Sequence, residues 1–245
     1  MKKESILILG AKSDVGIAIA HRFAKENYDI QLAARNVKSL INDVSNIKIR
    51  YGVSITLHEF DVLKPKLFID FVENLPKLPQ IVVCTIGLMG NQFKSEHSVQ
   101  SSSIIFRSNF EGPANILGIF ANYFIKRGGG TIVGISSVAG ERGRASNYIY
   151  GSSKAGFTAY LSGLRNRVSK KNVHILTVIP GYIYTKMTDG LNLPAFLTCE
   201  PSYVSEVVFK GIRNKRSIIF VPKIWRYIMM IIKCIPENIF KYSKL

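Results

Sequence analysis

The 245-residue sequence is poor in acids, cysteine and histidine, and has no long apolar run. No stretch of ~18 apolar residues occurs, so no helix is expected to span a membrane. After Met1-Lys2-Lys3-Glu4-Ser5, the first apolar run ends at Leu9, before Gly10. That is too short for the hydrophobic region of a secretory signal. Cys84, Cys199 and Cys234 are scattered and odd in number. They make neither a disulfide framework nor a CxxC metal pattern, and a reducing compartment is expected. His21, His58, His97 and His174 lie far apart without HExxH spacing, which argues against a metal centre. No repeat period or low-complexity tract interrupts the chain. Only 16 acids stand against 33 Lys and Arg, a net charge of +17. Such an excess favours an anionic partner: a phosphate-bearing ligand, an acidic membrane or nucleic acid. The alternative is a solvated basic surface.

What is present is a chain for one globular domain, 47% hydrophobic and 20% charged. Short β-branched runs at Ile6–Leu9, Ile30–Ala34, Ile55–Phe60, Ile81–Cys84, Thr131–Ile135 and Val173–Ile179 read as strands. Longer helical patterns intervene near Asp14–Asn27, Ser98–Lys126 and Tyr148–Ser169. Gly128-Gly129-Gly130 stops the second of these helices, and Pro180-Gly181 ends the last strand. This alternation predicts α/β architecture: βαβ units in a single doubly wound parallel sheet flanked by helices. Ligands bind such sheets beyond the carboxyl ends of the strands.

The first strand runs into Gly10-Ala11-Lys12-Ser13-Asp14-Val15-Gly16. Glycine permits a tight turn and close approach of a pyrophosphate, and a helix N-terminus offers free N–H groups. The usual G-x-G-x-x-G is absent, so position carries the signal. The second strand ends Leu32-Ala33-Ala34-Arg35-Asn36, an arginine where NAD-binding sheets place an acid. Arg35 therefore favours NADP(H) over NAD(H). Asp61, after the third strand, suits either an adenine contact or a helix N-cap.

Tyr150 and Lys154 stand at i and i+4 on one helix face. A phenol has a pKa of about 10, and a nearby ammonium is expected to lower it. The phenol could then exchange a proton with a carbonyl oxygen, while Ser137, at a strand end, holds that oxygen.

Together these residues resemble the short-chain dehydrogenase/reductase family over nearly the whole chain. The resemblance implies a Rossmann-type fold and a catalytic set of Ser137, Tyr150, Lys154 and Asn109, the last through a water-linked relay. It implies cofactor contacts from Gly10, Lys12, Ser13, Asp14, Val15 and Gly16, then Arg35, Asp61, Val62 and Gly87. Tyr150, Lys154, Pro180, Gly181, Ile183 and Thr185 would border the nicotinamide. Two departures stand out: Asp14 replaces a glycine of the usual turn, and Cys84-Thr85-Ile86-Gly87 replaces Asn-Asn-Ala-Gly. The segments Ser136–Arg142 and Tyr150–Gly156 resemble a subgroup that reduces a keto group on polyprenyl-phosphate-linked pentoses, after an FAD-dependent oxidase makes the ketone. The family also implies a homo-oligomer.

Residues 210–245 hold nine Lys and Arg against one acid, Glu237, a net +8. A helix over Lys223–Ile235 would be basic and amphipathic, with Trp225 and Tyr227 at headgroup depth. The expected division is a catalytic domain, 1–222, and a basic tail, 223–245. The tail suits an anionic membrane surface, its own domain or a dimer partner. The expected location is cytoplasmic, at the inner face of the cell membrane. Tyr184–Pro201 is expected to cover the substrate. The competing readings are a reductase of another hydrophobic ketone, such as a 3-oxoacyl or steroid-like compound, and a non-catalytic NADPH-binding partner. Nucleic-acid binding is disfavoured, because no motif accompanies the charge.

Overall fold

The computed structural model describes residues 3–190 and 192–243; Leu191 of the expected lid and Lys244 of the basic tail lie outside them. The chain begins with β1 (Ser5–Leu9), α1 (Asp14–Lys25), β2 (Asp29–Ala34), α2 (Ile41–Tyr51), β3 (Ile55–Glu59), α3 (Phe68–Glu73) and β4 (Ile81–Cys84). Helices α4 (Gln92–Glu96) and α5 (Val99–Phe106) then lead through a π-helical turn, Arg107–Glu111, into α6 (Gly112–Arg127). Next come β5 (Gly130–Ile135), α7 (Tyr148–Val168) and β6 (Val173–Pro180). Two short strands, β7 (Tyr182–Ile183) and β8 (Thr198–Cys199), pair with each other. Last are α8 (Pro201–Arg213), β9 (Ile218–Val221), α9 (Ile224–Cys234) and α10 (Glu237–Phe240).

Seven strands form one parallel sheet in the order β3-β2-β1-β4-β5-β6-β9. The order reverses between β1 and β4, and crevices for ligands open at such switch points. Strand alternation feeds two cores. Ile6 and Ile8 join Ile19 and Phe23 of α1 and Val204 and Val208 of α8 on one face. Leu7 and Leu9 join Phe120 and Phe124 of α6 and Phe157 and Leu161 of α7 on the other. β1 is buried along its whole length. That explains the unbroken apolar run Ile6–Leu9, and each such side chain contributes about 1.5–3 kcal/mol.

The structure departs from the sequence reading in three places. The expected continuous helix Ser98–Lys126 is divided by the π-helical turn, which carries Asn109. Such single-turn insertions recur at functional sites. An unanticipated seventh strand, β9, occupies the sheet edge beside β6. Finally, Trp225 is not at an exposed headgroup position but 3% exposed. It packs with Met229 and Ile232 of α9 against Val138 and Ile179, and its indole Nε1 donates to Leu197 O at 3.0 Å. Gly181 makes room for it, since a Cβ there would overlap the indole.

Candidate active site

Tyr150 and Lys154 lie one turn apart near the start of α7. The helix is pinned to the end of β5 by the Ser136 hydroxyl, which donates to Lys154 O at 3.1 Å. Ser137 follows, and its Oγ accepts from Ala139 N at 3.1 Å, capping a 3-10 turn over Val138–Gly140. These residues share a cleft of about 880 Å³ with the first-turn residues Gly10, Lys12, Ser13, Asp14 and Val15. Arg35, Val62, Gly87, Pro180, Gly181, Ile183 and Thr185 also line it. The sequence-predicted set therefore converges, with three exceptions: Gly16, Asp61 and Asn109 are not among the cleft-lining residues.

Each exception has a local explanation. Gly16 lies beneath the turn, where its N–H donates to Ser13 Oγ at 3.0 Å and caps α1. Asp61 Oδ1 accepts from Leu63 N at 3.0 Å, so its carboxylate organises the turn after β3. The Asn109 side chain is buried and spent on backbone. Its Oδ1 accepts from Leu88 N at 2.9 Å, and its Nδ2 donates to Leu88 O at 2.8 Å and Ile105 O at 2.9 Å. It thus fixes the strip Ile86-Gly87-Leu88, and a Cβ on Gly87 would sit 3.6 Å from both Asn109 Oδ1 and Lys154 Nζ.

The electrostatics differ from expectation. Lys154 is 3% exposed. Its Nζ donates to Ile135 O at 3.1 Å and Ile86 O at 3.4 Å, and lies 5.9 Å from the Tyr150 ring centre. Burial pulls the ammonium down to about 8. Burial pushes the Tyr150 phenol up to about 12, and the Ser137 hydroxyl beside it acts in the opposite direction. The expected lowering of the phenol by Lys154 is not what this arrangement gives. The ammonium is turned toward carbonyls, and desolvation of the phenolate dominates.

The phosphate end of the cleft is built from backbone. Gly10 adopts φ +85°, and a Cβ there would come within 2.8 Å of the Ile86 side chain. Ser13 Oγ bonds Gly10 O at 2.9 Å and Thr85 Oγ1 at 3.0 Å, tying the turn to the end of β4. That gives the departing Thr85 a physical role. The other departure, Asp14, accepts from Lys186 N at 2.8 Å through Oδ2, joining the first turn to the segment after β7. The turn carrying Arg35 is held by Glu59, whose carboxylate accepts from Asn36 N at 2.6 Å and Val37 N at 3.0 Å. Those two backbone bonds hold the Glu59 carboxyl below its usual range. The donor set of open helix N–H groups, Lys12 and Arg35 fits a phosphate-bearing dinucleotide.

Residues 4–194 match the short chain dehydrogenase family. The chain belongs to that family. It is thus an oxidoreductase, and its seven-stranded sheet is that of a short-chain dehydrogenase. It is similar to an uncharacterized oxidoreductase of Mycobacterium tuberculosis, 26% identical over 245 residues and covering 96% of this chain and 95% of that one. It is also similar to the ketoacyl reductase HetN of Nostoc, 27% identical over 225 residues, covering 89% and 78% respectively. Among solved structures, a short-chain dehydrogenase from Sphingobium yanoikuyae in complex with NADPH superposes with a TM-score of 0.81. That likeness is at 20% identity and covers 96% of this chain and 97% of that one.

Among the cleft-lining residues of this short-chain dehydrogenase that the sequence reading did not single out are Arg144 and Asn147. Spacing gave no cue to them, because they come from irregular connections. The Glu141-Arg142 pair, noticed as a motif, clamps α9. Arg142 Nη1 donates to Ile232 O, Lys233 O and Ile235 O at 3.2, 3.1 and 2.9 Å. Glu141 pairs with Lys233 at 3.0 Å. The opposite face of α9 presents Ile224, Tyr227, Met230 and Ile231 to solvent. Among the described residues, no helix is long and apolar enough to cross a membrane.

Proposed function

We propose that the chain reduces a ketone with NADPH, the Tyr150 phenol giving the proton to the carbonyl oxygen. The observation that carries this reading is the convergence of Tyr150, Ser137 and Lys154 on one cleft whose other end holds Lys12 and Arg35. The cofactor supplies the hydride when bound. Lys12, the first-turn N–H groups and Arg35 would hold its phosphates, Arg35 favouring the extra phosphate of NADP. Ser137 orients the carbonyl oxygen toward Tyr150. A phenol pushed up to about 12 by burial holds its proton at neutral pH, the form that can donate, and the Ser137 hydroxyl acts to lower it toward transfer. Lys154 supplies positive charge beside the reacting atoms. Asn109, fixed on Leu88, positions the wall that Lys154 leans on. A merely nucleotide-binding role is disfavoured, since it would leave a desolvated lysine and phenol without a task.

For the substrate, we infer a ketone on a polyprenyl-phosphate-linked pentose, as in decaprenylphosphoryl-2-keto-ribose reductase, which the sequence resembles. An FAD-dependent oxidase would supply that ketone. The exposed apolar face of α9, flanked by Lys223, Arg226 and Lys233, supports docking at an anionic membrane, at the cytoplasmic face of the cell membrane. In that arrangement residues 223–245, anchored on the catalytic unit 1–222 through Trp225, carry the docking face, and the assembly is a homo-oligomer. A second reading, a 3-oxoacyl or other hydrophobic ketone, is favoured by the likeness to a ketoacyl reductase.

The test follows nicotinamide absorbance with purified protein, NADPH or NADH, and either lipid-linked keto-pentose or a 3-oxoacyl thioester. NADPH oxidation on the keto-pentose supports the first reading. Turnover on the thioester alone transfers the assignment to the second. Tight NADPH binding without turnover on any ketone overturns the reductase reading.

A further inference from the structure

We propose that Asp14 is a positioning residue for the ketone end: its carboxylate clasps the backbone of Lys186 and so holds the wall of the cleft that follows β7. The proposal rests on the reductase reading above and adds to it the residue that ties the cofactor cradle to the ketone wall.

Asp14 is costly where it stands. It is the first residue of α1, at the helix N-terminus whose free N–H groups face the dinucleotide phosphates. A carboxylate there repels the phosphates that the turn must hold. None of the ion pairs among the described residues includes it, so no salt bridge neutralises it. Its hydrogen bond is spent elsewhere. Oδ2 accepts from Lys186 N at 2.8 Å, across 172 residues of sequence.

The chain around Lys186 needs that hold. Tyr184 N donates to Cys199 O at 3.0 Å, where the β7–β8 pair ends. Beyond it the chain turns on itself: Thr188 Oγ1 donates to Ile183 O at 2.6 Å and accepts from Thr185 N at 3.1 Å. Among the described residues, the bond to Asp14 is the one by which Thr185–Gly190 reaches a distant segment. A segment with so few outside bonds opens at low cost, and one charge-assisted bond then shifts its population strongly. Thr185, Met187 and Thr188 of this turn line the cleft beside Ile183.

The cavities locate the clasp. Lys12, Asp14 and Lys186 border the main cleft on one side. On the other they border a second cavity of about 440 Å³, which Ile17, Leu40 and Asp43 help to close. The Asp14–Lys186 bond stands between these two spaces. Without it, the wall loses its tie to the cradle. The repulsion and the bond therefore act on different ligands: Asp14 weakens the hold on NADPH and strengthens the hold on the ketone.

The test sets Asp14→Gly and Asp14→Asn beside the wild-type full chain. Asp14→Gly removes both charge and clasp. Lys186 is exposed, and trypsin cleavage after it, followed by mass spectrometry with NADP⁺ bound, should speed up by about tenfold relative to cleavage at other sites. The ketone used is whichever the wild type reduces, lipid-linked keto-pentose or 3-oxoacyl thioester. Its KM should rise by about tenfold in Asp14→Gly, with kcat within about threefold. NADPH should bind as tightly as in the wild type or more tightly, because a negative charge has left the phosphate end. Asp14→Asn keeps an acceptor oxygen without the charge. It should restore most of the protection at Lys186 and most of the ketone KM while keeping any gain in NADPH affinity. It also guards against a helix-start defect in the glycine variant. Unchanged cleavage after Lys186 in Asp14→Gly, or an unchanged ketone KM despite faster cleavage, would overturn the positioning role. Weaker NADPH binding in both variants would make Asp14 a cofactor contact and overturn it too. Asp14-dependent protection in a wild type that reduces neither ketone would keep the clasp and remove the reductase reading.

Discussion

The two ends of the cleft are made in different ways. The phosphate end is local and mostly backbone: one glycine turn, one helix N-terminus, and an arginine turn braced by Glu59. The ketone end is assembled from side chains far apart in sequence, from Ser137 to Tyr150 and Lys154, with a wall at Pro180–Met187. That wall leans on Trp225, which fills the space left by Gly181 and bonds Leu197 O. A backbone cradle needs its local turn and a few ties to neighbouring segments, such as Ser13 to Thr85 and Asn36 to Glu59. A side-chain site needs the C-terminal helix to be folded in place.

The sharpest break between the two ends is Tyr150→Phe. It removes the proposed proton donor and leaves the cradle untouched. Turnover should fall by about 10²–10⁴-fold while NADPH binding, followed by fluorescence, stays within about twofold. Parallel loss of binding and turnover would mean that the two ends are not separable.

Next in size is Trp225→Ala. The lost burial and the cavity left behind should cost about 3–5 kcal/mol in denaturant unfolding. The ketone end should suffer first: KM for the ketone should rise at temperatures where NADPH still binds normally. Ile231→Ser, on the exposed face of the same helix, should leave stability within about 0.5 kcal/mol and weaken binding to anionic vesicles. Unchanged vesicle binding would remove the membrane role from that face.

A smaller effect is expected from Arg35→Asp at the phosphate end. Loss of a charge-assisted contact should weaken NADPH by about 10- to 100-fold and narrow or reverse the preference over NADH. Glu59→Gln should give a milder form of this change, because it loosens the turn that presents Arg35 rather than the cation itself. A preference for NADPH unchanged in Arg35→Asp would place the extra phosphate elsewhere.

What the sequence disclosed divides along the same line. The strands, the first turn, Arg35 and the Tyr150–Lys154 pair follow from local periodicity, which depends only on neighbours a few residues away. Glu59 beneath Arg35, Trp225 against Gly181 and Asp14 on Lys186 are contacts between distant segments, and no local pattern encodes them. Trp225 was misplaced for that reason: an amphipathic helix declares an apolar face but not what covers it. Asn109 was found by resemblance, yet its work on the Leu88 backbone depends on the π-helical turn that sequence periodicity read through. The pKa expectation for Tyr150 took account of the neighbouring charge and omitted desolvation, which is a property of the folded site alone.

The burial of Lys154 gives the last and gentlest test of the ketone end. Lys154 has a folded pKa near 8 against 10.5 for an unperturbed lysine, because burial penalises the ammonium. It is therefore charged below about pH 8 and neutral above, while Tyr150, at about 12, keeps its proton throughout. Reductive kcat/KM should be level up to about pH 8 and then fall by about tenfold per unit, if the ammonium is required. Stability should respond in the opposite sense. Between about 8 and 10.5 the unfolded chain binds more protons at this residue than the folded one, so its contribution to stability rises with pH across that window. Lys154→Met should abolish the activity limb and raise the melting temperature at neutral pH, since it removes a buried charge near the sheet. A flat activity profile through pH 10 would show that Lys154 is not desolvated in the working enzyme. A lower melting temperature in Lys154→Met would show that its bonds to Ile135 O and Ile86 O outweigh the burial of its charge.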